Sequence, residues 1–228
     1  MAPASTVDDQ NTDLENSGDQ GKQGSLAEVA YNSVFKMILG RELAGGTVIQ
    51  ERKLADSLGI SRTPMREALK RLEGEGWLVR LTDRLLSVKL VSLEEYLQAL
   101  GVRRMLEAGA IELAAKRMSD EKIEHLQSQI DQLKVHPAPS YDMHWDFDDS
   151  LHGGIADASG NLIVARLIRE LRHITHLFET QTVPPRLLPG IAEHEAIIDA
   201  LRKRDPVLAR ECILVHLEGV RDGVMDGL

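Results

Sequence analysis

The sequence predicts a mainly α-helical protein, with an N-terminal winged helix-turn-helix followed by an all-helical bundle. Two short helical patterns flank Gly59 within residues 51–72, and two short apolar runs flank a turn at residues 82–84. From residue 92 onward the apolar residues recur with helical spacing and no strand pattern competes. These observations together predict a three-helix unit with a hairpin and a bundle of about six helices.

Composition and charge limit the function. The chain has 228 residues, 43% of them hydrophobic, and it lacks the apolar run of about 18 residues that a membrane helix needs. We expect no membrane segment, and the single cysteine, Cys212, is typical of a cytoplasmic protein. The net charge of −9 argues against a nucleic-acid partner, but residues 26–90 have eleven basic and eight acidic residues. The only basic segment is therefore the one that contains the helix-turn-helix, as phosphate contact requires.

The chain begins with a segment of low complexity. Residues 1–24 are rich in Ser, Thr, Asn, Gln, Asp and Gly and lack periodic apolar residues, which predicts a disordered tail. Residues 25–90 form the first predicted domain. It opens with an amphipathic helix over residues 25–43, which Ala44-Gly45-Gly46 ends.

The helix-turn-helix follows in residues 51–72. Gly59 is suited to the left-handed conformation that ends a helix, and Pro64 is tolerated in the first turn of the next one. Ser61 or Thr63 is expected to cap that second helix through its hydroxyl. Its apolar face is Met65, Ala68, Leu69 and Leu72, and its polar face is Arg62, Thr63, Arg66 and Lys70. An ordinary amphipathic helix would show the same basic spacing, but the turn, the cap and the basic N-terminal end together favour a recognition helix.

Residues 77–79 and 86–88 are short strand patterns around Thr82-Asp83-Arg84, which predicts a β-hairpin with Arg84 at its tip. Several motifs follow one another in this domain: Glu51-Arg52-Lys53-Leu54-Ala55, Leu58-Gly59-Ile60-Ser61-Arg62-Thr63-Pro64, Arg66-Glu67-Ala68-Leu69, Arg71-Leu72 and Gly74-Glu75-Gly76-Trp77-Leu78. They resemble the DNA-binding domain of GntR-family transcription regulators over residues 26–89. The resemblance implies that DNA is contacted by Arg52, Ser61, Arg62, Thr63, Arg66 and Arg84. Asp83 stands where the family usually has glycine, and it brings a negative charge toward phosphate, although Asp tolerates a left-handed turn.

The second predicted domain covers residues 91–228 and is all-helical. Its helical patterns run over residues 93–117, 120–134, 142–158, 161–180, 190–203 and 206–225. Breaks fall at Ser119-Asp120, His136-Pro137-Ala138-Pro139, Gly160, Pro184-Pro185, Pro189-Gly190 and Asp205-Pro206.

Histidine spacing alone is a weak metal signal. Asp148 and His152 are four residues apart and share a helix face. His144 extends that face as a rival ligand, and His173 with His176 forms another loose pair. A lone helical histidine is more often a surface residue or a hydrogen-bonded core residue.

A set of residues spread over the second predicted domain strengthens the metal hypothesis. The set consists of Val102-Arg103 with Glu107, Asp148 with Leu151-His152, Ala158-Ser159-Gly160-Asn161, Glu193-His194 with Ile197, Asp199-Ala200-Leu201, Asp205 and His216. These residues resemble the FCD ligand-binding domain of the FadR-type branch of the same family. The resemblance implies a divalent metal ion held by Asp148, His152, His194 and His216, and imidazole with carboxylate suits Zn or Ni.

An ion that accepts five or six ligands would keep open positions, where a small organic acid could bind with Arg103 as a charged partner. The alternative for Arg103 is a surface ion pair with Glu107. A metalloregulator that senses the ion itself is a second hypothesis. A metal-dependent hydrolase is a third and weaker one, because HExxH, Ser-His-Asp and phosphate-loop motifs are absent; we expect no catalytic residues. The resemblance therefore implies a homodimeric regulator, more often a repressor, that reads a palindromic operator.

Overall fold

The computed structural model describes the backbone of residues 17–136, 140–182 and 187–227. The chain divides into two units, the first built from residues up to 43 and 47–88, the second from 44–46 and 89 onward. The first combines helices with a small sheet, and the described part of the second is entirely helical. The predicted fold class is therefore confirmed.

The first unit contains three helices, α1 (Ser17–Leu39), α2 (Glu51–Leu58) and α3 (Arg62–Gly74). Helix α3 packs against α1 and α2, and its predicted apolar face (Met65, Ala68, Leu69 and Leu72) is buried. Gly59 ends α2 with φ of +65°, the left-handed conformation predicted for it. The Arg71 guanidinium lies 3.8 Å from the centroid of the Tyr31 ring and donates to Glu75 Oε1 at 2.9 Å. These contacts fix the C-terminal end of α3 on α1.

The sheet has three antiparallel strands, β1 (Val48–Ile49), β2 (Leu78–Thr82) and β3 (Leu85–Val88), in the order β1-β3-β2. The predicted hairpin is β2–β3, and its register shifts between Arg80 and Thr82. We did not predict β1, because two residues are too few to show an alternating pattern; its pairing with β3 stabilises it. Asp83 is absent from the described residues of positive φ, so the hairpin turn does not use a left-handed aspartate.

Two other predictions about this unit differ from the structure. Helix α1 begins at Ser17, so residues 17–24 of the predicted tail are helical, while residues 1–16 lie outside the described residues. Helix propagation accounts for this longer helix, because each residue added to an already packed helix gains a backbone hydrogen bond at small cost. Ser61 occupies the N-cap position of α3, but its side chain makes no capping hydrogen bond, so its hydroxyl stays available on the surface.

The second unit contains α4 (Leu93–Arg117), α5 (Asp120–Val135), α6 (Tyr141–Ala158), α7 (Leu162–Thr182), α8 (Leu187–Arg202) and α9 (Pro206–Asp226). Helix α4 packs against α6, α7 and α9, and α8 packs against α5 and α9. The side chains of Ser92, Ser119, Ser140 and Asp205 accept hydrogen bonds from backbone N–H groups at the starts of four of these helices. These caps explain why the breaks were readable in the sequence.

The bounds of the six helices in this second unit agree with the predicted ones to within about three residues. The largest difference is the start of α8 at Leu187, which places Pro189 inside its first turn, where a proline is tolerated. The predicted breaks at residues 137–139 and 184–185 lie outside the described residues. In the part of the chain that the structure describes, no helix is both long and apolar enough to cross a bilayer.

Candidate functional site

The exposed side of the helix-turn-helix carries the residues predicted to contact DNA. Arg62 and Thr63 are exposed in the first turn of α3, beside the exposed Ser61. The side chains of Arg52 and Arg66 are 78% and 66% exposed. The structure therefore presents these five residues on the surface of one unit, at and near the N-terminal end of α3.

Intramolecular contacts divide these residues into two kinds. Arg66 Nε donates to Glu51 Oε1 at 2.8 Å, and Arg52 Nε lies 3.8 Å from Asp56 Oδ2. Among the described residues, neither a hydrogen bond nor an ion pair is present for the Arg62 side chain. Arg62 can thus approach a ligand without losing an internal contact, whereas Arg66 must exchange Glu51 for its new partner.

The hairpin is anchored to α3 by an ion pair. Arg80 in β2 donates to both carboxylate oxygens of Glu73, at 2.8 and 2.6 Å, and also to the backbone carbonyl of Asp83 at 3.1 Å. The resulting cleft between α3 and the hairpin has a volume of about 460 Å³ and is lined in part by Arg66, Lys70, Arg80 and Arg84. Arg84 is exposed at the turn of the hairpin.

A second cluster lies inside the helical unit. Asp148 and His152 extend from α6, His194 from α8 and His216 from α9. One ligand atom from each of these four residues lies within 4.8 Å of the others. The three histidines are buried and Asp148 is half-buried. The structure thus brings together all four residues that the FCD resemblance implied, from three helices.

The orientation of the histidine rings fits metal coordination. His152 Nδ1 is 2.5 Å from Glu107 Oε2, and His216 Nδ1 is 3.0 Å from Glu193 Oε2. Metal-binding histidines usually donate their second ring N–H to a carboxylate in this way, which directs the other nitrogen toward the ion. Within the described residues, His152 Nε2 and His194 Nε2 are buried without a well-oriented hydrogen bond, although each lies 3.3–3.4 Å from Asp148 Oδ1. These nitrogens are the atoms that an ion would satisfy.

Two arginines complete the centre. Arg172, only 1% exposed, donates to Asp148 Oδ2 at 2.9 Å. Arg103 donates to Glu107 Oε1 at 2.8 Å and to Thr175 Oγ1 at 2.7 Å. The Arg103–Glu107 pair is therefore buried, and the surface-pair alternative was wrong because α4 turns this face toward α7.

The sequence did not reveal Glu193 or Arg172 as parts of the centre. Glu193 adjoins His194, but its contact is with His216 on another helix, and Arg172 belongs to none of the motifs. The other candidate histidines lie outside the cluster. His144 is half-buried on α6. His176 stacks on Trp145, and burial holds its pKa well below the usual range.

The charge state of the centre favours a cation. Burial alone would raise the pKa of Asp148, but the Arg172 guanidinium and the histidines outweigh it and hold the pKa well below its usual range. Burial lowers the pKa of His194. Burial and the neighbouring His194 lower the pKa of His216 to about 3. For His152, the Glu107 and Asp148 carboxylates outweigh burial and raise the pKa above its ordinary value. Neutral imidazoles and an ionised carboxylate are the forms that bind metal.

The pH dependence of metal affinity follows from these shifts. His194 and His216 have lowered pKa values and stay neutral near neutral pH, so proton competition arises from His152, whose pKa is raised. Below that pKa an ion must displace one proton, so we expect affinity to fall about tenfold for each pH unit and to level off above it. Titration against a chelator between about pH 6 and about pH 9 measures this. An affinity that stays constant across that range would contradict the assignment of His152 as a ligand.

Two family models match the chain. The model described as "Bacterial regulatory proteins, gntR family" matches residues 26–84, and the FCD domain model matches residues 98–219. The first range contains the helix-turn-helix and most of the hairpin. The second contains the four clustered residues together with Glu107 and Glu193.

Curated relatives and solved structures agree with these matches. YcbG, an HTH-type transcriptional regulator of Bacillus subtilis (strain 168), is 33% identical over 90% of this chain and 92% of its own length. LutR, an HTH-type transcriptional regulator of the same strain, is 29% identical over 82% of this chain and 95% of its own length. The structure of E. coli McbR/YncC superposes with a TM-score of 0.72 at 20% identity, covering 88% of this chain and 97% of that one. At this identity the last match shows the fold alone.

Proposed function

The chain belongs to the gntR family of bacterial regulatory proteins and carries an FCD domain, and from this premise we propose a metal-dependent effector sensor that controls transcription. It is a DNA-binding transcription regulator rather than an enzyme. In our proposal it is a cytoplasmic homodimeric repressor that binds a palindromic operator. Its effector is a small organic acid bound at or near a divalent ion in the helical unit.

The observation that carries the proposal is the convergence of Asp148, His152, His194 and His216 with carboxylates behind two of the rings. Three nitrogen ligands and one oxygen ligand suit Zn or Ni. When bound, the ion would supply a positive charge and open coordination positions to an acid. Asp148 Oδ2 also accepts a hydrogen bond from the Arg172 guanidinium. This contact keeps the carboxylate ionised and fixes the position of one of its oxygens.

We propose that Arg52, Ser61, Arg62, Thr63 and Arg66 contact the operator, with α3 in the major groove and Arg84 on the backbone beside it. The exposure of all six side chains supports this assignment. Two copies would read the two halves of the palindrome, because a twofold protein matches a twofold site. The effector must bind one arrangement of the two copies more tightly than the other if it is to change operator affinity.

A specific observation favours a second candidate, a regulator that senses the ion itself. Arg103, the residue proposed to bind the acid, is 5% exposed and its guanidinium already contacts Glu107 and Thr175. An acid would therefore have to displace one of these contacts, or bind without Arg103.

Operator binding under defined metal conditions separates the candidates. The operator is first selected from random DNA by the pure protein, and its affinity is then measured by fluorescence anisotropy. Chelator-treated protein is compared with protein that has received Zn or Ni, each with and without a panel of small carboxylates and sugar acids. A change that needs both ion and acid supports the acid sensor, and a change with the ion alone supports the metalloregulator. Operator affinity that is unchanged throughout would refute effector control through this centre.

A further inference from the structure

A pocket of about 520 Å³ lies against the side of α6 that faces away from the metal centre. Asp148 and His152 share one face of this helix. At about 100° per residue, Ser150, Gly153 and Asp157 lie on the opposite face. We call this cavity the α6 pocket; its walls come from α4, α5, α6 and α7 and include Arg117, Lys122, Asp149, Gly153, Asp157 and Arg169. Among the described residues that line it, none belongs to the metal cluster.

Both acidic side chains of the α6 pocket already have a cationic partner. Arg169 Nη2 lies 2.5 Å from Asp157 Oδ1. Arg172 Nη2, from outside the pocket, lies 3.3 Å from Asp149 Oδ1. Neither carboxylate is therefore an unneutralised charge that would repel an anion.

Two cations of the pocket have uncharged partners instead. Lys122 Nζ donates to Ser150 Oγ at 3.2 Å, and Arg117 Nη1 donates to the backbone carbonyl of Ser159 at 2.6 Å. In the part of the chain that the structure describes, neither cation forms an ion pair. Positive charges that line a cleft without balancing carboxylates attract anions from solution. The pocket thus offers two positive charges to a ligand.

Glycines make room for these cations and for the pocket itself. A Cβ atom on Gly154 would lie 2.9 Å from Lys122 Cε, and one on Gly160 would lie 2.6 Å from Arg117 Nη1. A side chain at either position would displace the cation from its present place. Gly153 differs, because it is buried and yet a Cβ atom there would meet nothing within 4 Å. Glycine inside a helix is less favourable than alanine, and what Gly153 provides is open space in the pocket.

The spacing of the two cations indicates the shape of the ligand. Gly154 and Gly160 are six residues apart, so the charges beside them lie roughly 9 Å apart along the direction of α6. A single small anionic group cannot meet both cations, whereas a molecule with an anionic group at each end can. The volume of the pocket is within the roughly 300–1,000 Å³ of small-molecule sites.

We propose that the α6 pocket binds an elongated small molecule with an anionic group at each end, one held by Lys122 and the other by Arg117. Phosphate and carboxylate groups share the required chemistry, because both accept charge-assisted hydrogen bonds from ammonium and guanidinium groups. The site goes beyond the proposed function, since it uses neither the metal ion nor the residues that would hold it.

Isothermal titration calorimetry of the full chain at constant ionic strength tests the class of ligand. Fructose 1,6-bisphosphate is compared with fructose 6-phosphate and fructose, and octanedioate is compared with 8-hydroxyoctanoate. In at least one of the two series, the molecule with two anionic ends should bind about tenfold or more tightly than the molecule with one, because it makes a second charge-assisted contact. The series that binds more tightly identifies the anionic group. Equal binding of the one- and two-anion molecules in both series would overturn the proposal, as would the absence of binding by both dianions.

Three variants, titrated with the tighter of the two dianions, test the position of the site. Lys122→Gln and Arg117→Gln each remove one charge and should each weaken binding about tenfold. Lys203→Gln is the matched control, because Lys203 is exposed and lies outside the pocket. Gly153→Leu fills the open space without a change of charge and should abolish binding, while thermal unfolding shows no loss of Tm because leucine favours a helix over glycine. Undiminished binding by the Gly153→Leu protein would refute the α6 pocket.

The His194→Ala/His216→Ala protein distinguishes this site from the metal centre. It lacks two of the proposed metal ligands, and we expect it to bind the dianion as tightly as the unchanged protein does. Binding that is lost in this protein but kept in the Lys122→Gln protein would mean that the anion binds at the metal centre. That result would overturn the α6 pocket and leave the proposed function intact.

Discussion

Replacement of both His194 and His216 by alanine is expected to abolish binding of the divalent ion. The increase in stability that the bound ion gives the folded protein should be lost with it. Loss of a single partner behind a metal ligand typically lowers affinity about 10- to 100-fold, so removal of two ligands should lower it by more than about a hundredfold. These two histidines are preferable to His152, which is fully buried against Glu107 and whose loss would disturb the core. Metal analysis of protein purified without chelator, and thermal unfolding with and without added Zn or Ni, measure both effects.

The control for this change is His125→Ala with His136→Ala. It also removes two histidines, but both are exposed and lie outside the cluster. The control should keep the metal content and the metal-dependent rise in Tm of the unchanged protein, because a ligand that binds only the folded state stabilises it. Undiminished metal content in the His194→Ala/His216→Ala protein would show that the ion is held elsewhere.

Arg62→Ala is expected to weaken operator binding by roughly 1–3 kcal/mol, which is about five- to 150-fold in Kd. In the described chain the side chain of Arg62 makes neither a hydrogen bond nor an ion pair, and it is exposed in the first turn of α3. The free energy of unfolding should therefore stay unchanged, so that any loss of affinity can be assigned to the missing DNA contact. Fluorescence anisotropy with the selected operator, together with chemical unfolding, measures the two quantities.

Arg166→Ala is the matched control. Its side chain is 69% exposed on α7, in the helical unit, and its removal should leave operator affinity unchanged. Comparison of operator variants then distinguishes two roles for Arg62. If Arg62 reads a base, its loss should relax specificity at one position; if it contacts a phosphate, its loss should weaken all sequences alike and reduce the salt slope by about one. Unaltered affinity would remove Arg62 from the proposed interface.

Much of the fold was predictable because the residues that begin and end its helices act on neighbours only a few positions away in the sequence. Ser92, Ser119 and Asp205 cap helices with hydrogen bonds to residues two or three positions on, so the signal lies within a few letters of sequence. Gly59 is equally local, because only glycine adopts a left-handed conformation at no cost. Strand β1 was missed for the opposite reason: its two residues owe their conformation to β3, almost forty residues away.

In the candidate metal centre, too, some features could be predicted from the sequence and others depend on contacts between distant residues. The four clustered side chains could be named because a family pattern relates positions that local spacing cannot connect. The contacts that orient them could not be named, since Glu107 meets His152 across 45 positions and Glu193 meets His216 across 23. Arg103 shows the limit most clearly. Its partner Glu107 was readable one helical turn away, but its burial and its bond to Thr175 depend on how α7 packs.

The separation of the clustered residues along the chain has a consequence for chain entropy. Asp148 and His216 are 68 positions apart, and an ion held by both would close a loop of that length. Closing a long loop removes freedom mainly from the unfolded chain, which is how a disulfide stabilises a protein. With one cysteine this chain cannot form an internal disulfide. A bound ion would thus act as its reversible cross-link, one that proton concentration and metal supply can make or break.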